Sequence, residues 1–173
     1  MKNTILILIS LLFLTGCEKE VSEIQDRGGV KYEINSETPY TGKVSLNHKN
    51  GQKEYKGNFK DGKEDGIHIS WHSNGQKKRE GNFKDGKEEG LHISWHSNGQ
   101  KMSEGNFKDG KEDGIHTEWY GNGLKEMEWN YKDGKEDGTR TKWNENGQKV
   151  SEAIYKDGVL VFKEKVVVKD DNS

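Results

Sequence analysis

Tryptophan stands at positions 71, 95, 119 and 143, each 24 residues after the one before. Gly51, Gly75, Gly99, Gly123 and Gly147 keep the same interval. So do Phe59, Phe83, Phe107, Tyr131 and Tyr155, and so does the dipeptide Asp-Gly, which begins at Asp61, Asp85, Asp109, Asp133 and Asp157. Columns this regular specify a tandem array, in which each unit packs only on its neighbours and the apolar interior is a seam rather than a centre. Composition is read in that light. With 28% hydrophobic and 34% charged residues the chain would otherwise look disordered. A seam needs far less apolar surface than a thick core, and here glycine and aromatic residues recur at fixed intervals.

Each unit divides into two strand-like runs separated by turn signals. Ile67-His68-Ile69-Ser70-Trp71-His72 alternates apolar and polar residues, as a half-buried strand does. Ser73-Asn74-Gly75 marks a turn, Lys77 to Phe83 supplies a second strand, and Asp85-Gly86 and Gly90 punctuate the return. Side-chain parity argues for a three-residue Ser73-Asn74-Gly75 loop, with Gly75 in the left-handed position of a bulged hairpin turn. That loop predicts Trp71 opposite Lys77, Ile69 opposite Arg79 and Ile67 opposite Gly81. Phe83 would then share one face with Ile67, Ile69 and Trp71, and Gly57, Gly81 and Gly105 would leave room on it for a neighbouring ring. The other face would carry His68 opposite Glu80, His92 opposite Glu104, His116 opposite Glu128 and Arg140 opposite Glu152. A histidine column that becomes arginine while glutamate stays reads as a row of cross-strand charge pairs.

Arg79-Glu80-Gly81-Asn82-Phe83-Lys84-Asp85-Gly86-Lys87 resembles the MORN repeat, whose core runs Tyr-x-Gly-x-aromatic-x-x-Gly, and Tyr55-Lys56-Gly57-Asn58-Phe59-Lys60-Asp61-Gly62 matches it most fully. The period of 24 and the Ser-Asn-Gly or Glu-Asn-Gly turns are similar to the bacterial MORN-like variant, as is the lead-in Pro39-Tyr40-Thr41-Gly42-Lys43. Arg79, Ser103, Met127 and Ser151 depart from the first Tyr, and Trp129 and Ala153 from the Gly. The resemblance implies an all-β fold, an elongated single-layer antiparallel sheet built from tandem 24-residue β-hairpins. Five repeats would occupy residues 42–160. A cap strand and lead-in would precede them at 30–41, and a β-branched cap strand and tail would follow at 161–173.

The first 16 residues read as a lipoprotein signal. Lys2 is followed by a ten-residue run from Ile5 to Leu14 that is apolar except for Ser10. As a helix it would span about 15 Å, half the roughly 30 Å of a bilayer core. Leu14-Thr15-Gly16-Cys17 resembles the bacterial lipobox, which implies cleavage before Cys17 and lipid attachment to it, anchoring an exported protein at a bacterial membrane. Residues 17–29 would be a polar tether. Cys17 is the single cysteine, so no intramolecular disulfide forms. Net charge is −2, and loss of Lys2 makes it about −3. No basic block suggests a nucleic-acid partner.

Six histidines invite a metal reading, but equivalent residues in successive hairpins would sit about 10 Å apart, against the 2 Å that each zinc ligand requires. No metal or cofactor is expected. The carboxylate pairs Glu64-Asp65, Glu88-Glu89, Glu112-Asp113 and Glu136-Asp137 recur beside turns and read as solubilising charge. With no nucleophile–base set and no phosphate loop, the expected protein is not an enzyme. The aromatic columns Trp71, Trp95, Trp119, Trp143 and Phe59, Phe83, Phe107, Tyr131, Tyr155 are the candidate binding face, because a one-layer sheet cannot bury them fully. The expectation is a membrane-anchored scaffold that binds a protein at the cell envelope. The alternatives are an antitoxin or immunity protein that neutralises a toxin, a label often given to this repeat type, and a binder of phospholipid or envelope glycan.

Overall fold

The computed structural model describes residues 20–165; the signal, Cys17 and residues 166–173 lie outside them. Among the described residues every regular element is a strand. Three short strands come first, β1 (Glu20–Val21), β2 (Gln25–Arg27) and β3 (Val30–Tyr32). Five hairpins follow. β4 (Gly42–Asn47) pairs with β5 (Lys53–Lys60); β6 (Lys63–Glu64) and β7 (Gly66–Trp71) lead into β8 (Lys77–Lys84). β9 (Lys87–Trp95) pairs with β10 (Lys101–Lys108), and β11 (Lys111–Trp119) with β12 (Lys125–Lys132). β13 (Lys135–Glu136) and β14 (Gly138–Trp143) lead into β15 (Lys149–Lys156), and β16 (Val159–Lys165) ends the series. From β4 onward the sheet follows chain order with antiparallel neighbours, while β1 joins β4 in parallel and makes the sheet mixed. At about 4.8 Å per strand its twelve-strand path extends roughly 50 Å. The all-β array of tandem hairpins expected from the sequence is the observed architecture.

Two turn types alternate along its edges. The backbone N–H of His72 donates to the carbonyl of Gln76 at 2.8 Å, and that of Gly75 donates to His72 at 2.9 Å. This is the three-residue loop argued from parity, with Gly75 at a φ of 86°. On the other edge Lys84 lies opposite Lys87, and Asp85 and Gly86 both have positive φ, 51° and 81°. Two such residues form a type I′ turn, whose twist matches that of the strands it joins. The N–H of Gly86 also donates to the Glu64 carbonyl one repeat earlier, at 2.8 Å, and Gly110, Gly134 and Gly158 repeat the bond.

The register departs from expectation one step inside the loop. Trp71 faces Lys77, as predicted, but Ser70 then faces Arg79, Ile69 faces Glu80 and His68 faces Gly81. Lys78 is the extra residue of a β-bulge, and one extra residue inverts every later assignment of side chains to faces. The same shift recurs after Lys53, Lys101, Lys125 and Lys149. The expected pairs of His68 with Glu80, His92 with Glu104, His116 with Glu128 and Arg140 with Glu152 therefore do not form. The tryptophan column and the Phe/Tyr column, expected on one face, lie on opposite faces.

The first turn of the array is capped. Tyr40, Val44 and Phe59 form a small buried core, with Val21, Ile24, Leu46 and Tyr55 packed against it. Part of the segment read as a tether is thus strand and core: β1 extends the sheet, and β2 and β3 form a separate ribbon held by the N–H of Lys31 on the Gly62 carbonyl, 2.8 Å. At the far end β16 pairs with β15, as a cap strand should, but Val159 and Val161 remain 65% exposed.

Candidate functional site

The bulge places His68 on the Gly81 and Phe83 face, and the result is a continuous file of rings. Ring centroids separate Phe59 from His68 by 5.2 Å, His68 from Phe83 by 4.8 Å, Phe83 from His92 by 5.2 Å and His92 from Phe107 by 4.9 Å. Phe107 to His116 and His116 to Tyr131 are both 5.1 Å. The rings meet edge-on or tilted, the arrangement their quadrupoles favour. Arg140 takes the next histidine position, with its guanidinium 4.9 Å from the Tyr155 ring centre. The room expected beside glycine is taken by a ring, and that ring is a histidine. A Cβ at Gly81 would lie 2.3 Å from His92 Nδ1, and one at Gly105 would lie 2.1 Å from His116 Nε2.

Each imidazole is oriented through its Nε2. His68 Nε2 lies 2.7 Å from the Asn58 carbonyl oxygen, and His92 and His116 repeat this with Asn82 and Asn106 at 2.8 and 3.1 Å. A carbonyl only accepts, so Nε2 carries the proton and donates. Nδ1 then turns to a carboxylate four residues earlier: Glu64 for His68, Glu88 for His92 and Glu112 for His116, each at 3.4 Å. Arg140 meets Glu136 at 3.2 Å in the same way. The expected pairs with Glu80, Glu104 and Glu128 are replaced by these nearer glutamates, read from the sequence as solubilising turn charge, and only the Arg140–Glu136 member carries a permanent cation. The Tyr55 hydroxyl also donates to His68 Nδ1, at 2.6 Å. Burial, and secondarily Glu64, pushes the Tyr55 phenol above its ordinary range.

The second histidine column is structural too. His48, His72 and His96 each bring Nε2 to within 2.9 Å of the carbonyl of the next repeat's tryptophan, and Tyr120 donates its hydroxyl to Trp143 at the same distance. These residues latch neighbouring hairpins and are not a free outer surface. Among the described residues no three His, Cys, Asp or Glu side chains converge as a metal site would require.

On the opposite face the tryptophans are covered by lysines. Lys77, Lys101 and Lys125 each lie 5.6 Å from the ring centres of Trp95, Trp119 and Trp143, and Lys53 lies 5.8 Å from Trp71. The same ammonium groups of Lys77 and Lys101 bond Glu80 and Glu104, so those glutamates have local partners. Ile67, Leu91 and Ile115 are about half exposed beside them.

The concavity is on the ring face. A trough of about 500 Å³ runs from Tyr55 to Trp129 and Tyr131. Gly81, Gly105, Ser94 and Ser103 keep its floor low, with Ser94 and Ser103 sharing a 2.5 Å hydroxyl hydrogen bond. Trp129, standing where earlier repeats have glycine, lines its far end. Of the residues singled out from sequence, Phe83, Phe107 and Tyr131 line the trough; Trp71, Trp95, Trp119 and Trp143 do not. Glu64, Glu88, Glu112 and the histidines were missed as site residues. The signal for them lay in the columns: Glu64, Glu88, Glu112 and Glu136 precede His or Arg by four, and where Tyr40 replaces Glu, Val44 replaces His.

A family model described as MORN repeat variant matches residues 40–61, 64–85, 88–109 and 136–157, just over half of the chain. The intervening hairpin of β11 and β12 is unmatched, with Trp129 and Leu124 in place of the usual Gly and Gln, yet it keeps the same pairing and bulge. No curated protein matches the sequence.

Proposed function

We propose that this chain, which belongs to the MORN repeat variant family, is a non-enzymatic repeat scaffold that binds a protein along its ring face while a lipid on Cys17 holds it at a bacterial membrane. The trough carries the reading: it is a concave, partly apolar surface spanning several repeats, with rings along it and small residues on its floor. The tryptophan face supports binding less well, because lysines already occupy the ring faces there. The carboxylates recur once per repeat with identical partners, which suits a ladder of similar contacts better than a single reaction centre.

Filling the trough tests this. Ser103 occupies the column of Tyr55 and Met127, so a large side chain fits that position in the fold. A soluble form beginning after Cys17 is expected to capture a protein from an envelope extract. Ser103→Tyr should release it and Trp95→Ala should retain it. Equal capture by Ser103→Tyr overturns the ring-face assignment, and capture of nothing above background overturns the scaffold reading.

A further inference from the structure

The trough carries an uncompensated row of negative charge. Among the described residues Glu64, Glu88 and Glu112 form no lysine or arginine ion pair; their one charged-group neighbour is a histidine at 3.4 Å. Their side chains are 36–40% exposed; Glu118 also lines the trough, as do Glu80 and Glu104, which are paired with Lys77 and Lys101, and Arg79 is the one arginine there. Burial, followed by Glu126, raises the Glu118 carboxyl above its ordinary range, as a group short of cations should behave.

The chain itself shows what satisfies such a carboxylate. At the fourth position of the column Arg140 puts a guanidinium 3.2 Å from Glu136 and 4.9 Å from the Tyr155 ring centre. In the other copies a histidine stands in the place of Arg140, and Glu88 opposite Phe83 and Glu112 opposite Phe107 present a carboxylate beside a ring to a cation from outside. The spacing selects its carrier. Equivalent residues recur every two strands, about 9.6 Å along the sheet axis. A polyproline II segment turns once in three residues, about 9.3 Å, and presents every third side chain to one side. A β-strand alternates sides every residue and cannot keep that phase.

Resting on the reading of the trough as a protein-binding surface, we infer that its occupant is a cationic polyproline II segment, lying across the strands with arginine or lysine at every third position on Glu64, Glu88 and Glu112.

Synthetic peptides test it against the soluble full array. (Pro-Pro-Arg)4 should bind in a salt-dependent way, and (Pro-Pro-Gln)4 should not. A peptide of equal charge with arginine at every second position should bind more weakly. The combined Glu64→Gln, Glu88→Gln and Glu112→Gln substitutions should weaken binding roughly tenfold, since each exposed pair contributes modestly. Arg79→Glu adds a carboxylate to the trough and should tighten binding, a gain that misfolding cannot imitate. Equal affinity for the arginine and glutamine peptides, or for the two arginine spacings, overturns the inference, as does an Arg79→Glu chain that binds no better. If an envelope partner is lost in Ser103→Tyr yet is not displaced by (Pro-Pro-Arg)4, the scaffold reading stands and the cationic occupant fails.

Discussion

Glu64 stands four residues before His68, with its Oε1 3.4 Å from the imidazole Nδ1. The repeat copies vary this relationship in a way that explains it. Glu88 with His92 and Glu112 with His116 preserve it, and Glu136 with Arg140 preserves it with a permanent cation. In the first copy both members are apolar: Tyr40 and Val44, both buried, with Val44 fully inaccessible. The carboxylate and its His or Arg partner are thus present together or absent together, although the two positions are never adjacent in sequence. The pair is a unit of the fold, seated between rings of successive hairpins.

If the unit accepts any cation that reaches the glutamate, His92→Arg should be tolerated where His92→Ala is not. Alanine removes a ring packed between Phe83 and Phe107 and leaves the Asn82 carbonyl without its 2.8 Å donor. The expected cost is about 1–3 kcal/mol. Arginine has the precedent of Arg140 and should stay within about 1 kcal/mol of the wild type. Urea unfolding of both variants decides it. Equal losses would mean that the column requires imidazole shape rather than positive charge.

The contact between Gly81 and His92 predicts a coupling. A methyl group at Gly81 would meet Nδ1 at 2.3 Å and Cε1 at 2.4 Å, so Gly81→Ala must displace the ring. Overpacking of this kind costs about 1–3 kcal/mol. In a His92→Ala background the obstruction is gone, and the same substitution should cost little. A double-mutant cycle should therefore return a coupling of about 1 kcal/mol or more. An additive cycle would show that the glycine is required for its backbone and not for the space above it.

How far the sequence could be read is decided by one residue. The Ser73-Asn74-Gly75 loop length followed from parity, because glycine and the apolar columns mark its ends. The bulge at Lys78 did not, because an unpaired residue faces no fixed neighbour and leaves no chemical signature: its column holds Glu54, Lys78, Met102, Glu126 and Val150. That one unread step moved the histidines from an outer face into the ring file and sent the tryptophans to the other side. The glutamates of the site were hidden differently. They sit next to turn carboxylates such as Asp65 and Glu89, and only the joint replacement of Glu by Tyr40 and His by Val44 separates them from solvated charge.

The Asp-Gly edge predicts a substitution pattern. Asp85 has a φ of 51°, a conformation that Asn and Asp adopt at little cost and that a β-branched residue resists. Asp85→Asn should leave stability within about 0.5 kcal/mol of the wild type, while Asp85→Val should lose about 1–2 kcal/mol. Since the Asp85 side chain makes no contact that valine would uniquely break, the difference isolates the backbone. Thermal melts of the two variants provide the measurement, and equal melting temperatures would refute the type I′ assignment.

Tyr131 predicts behaviour in alkali. Burial, followed by the carboxylates of Glu112 and Glu136, pushes its phenol up to about 12, against about 10 for a free tyrosine. The folded chain therefore holds this proton where the unfolded chain releases it. Its contribution to stability is fully present below pH 10 and is lost as pH rises from there through about 12. Tyrosinate absorbance near 295 nm, recorded for the wild type and for Tyr131→Phe, should differ by one tyrosine whose transition is centred near pH 12. The variant, lacking that ionisation, should lose less stability over the same interval. A missing transition centred near 10 would place Tyr131 in open solvent and break the ring file at its junction with His116.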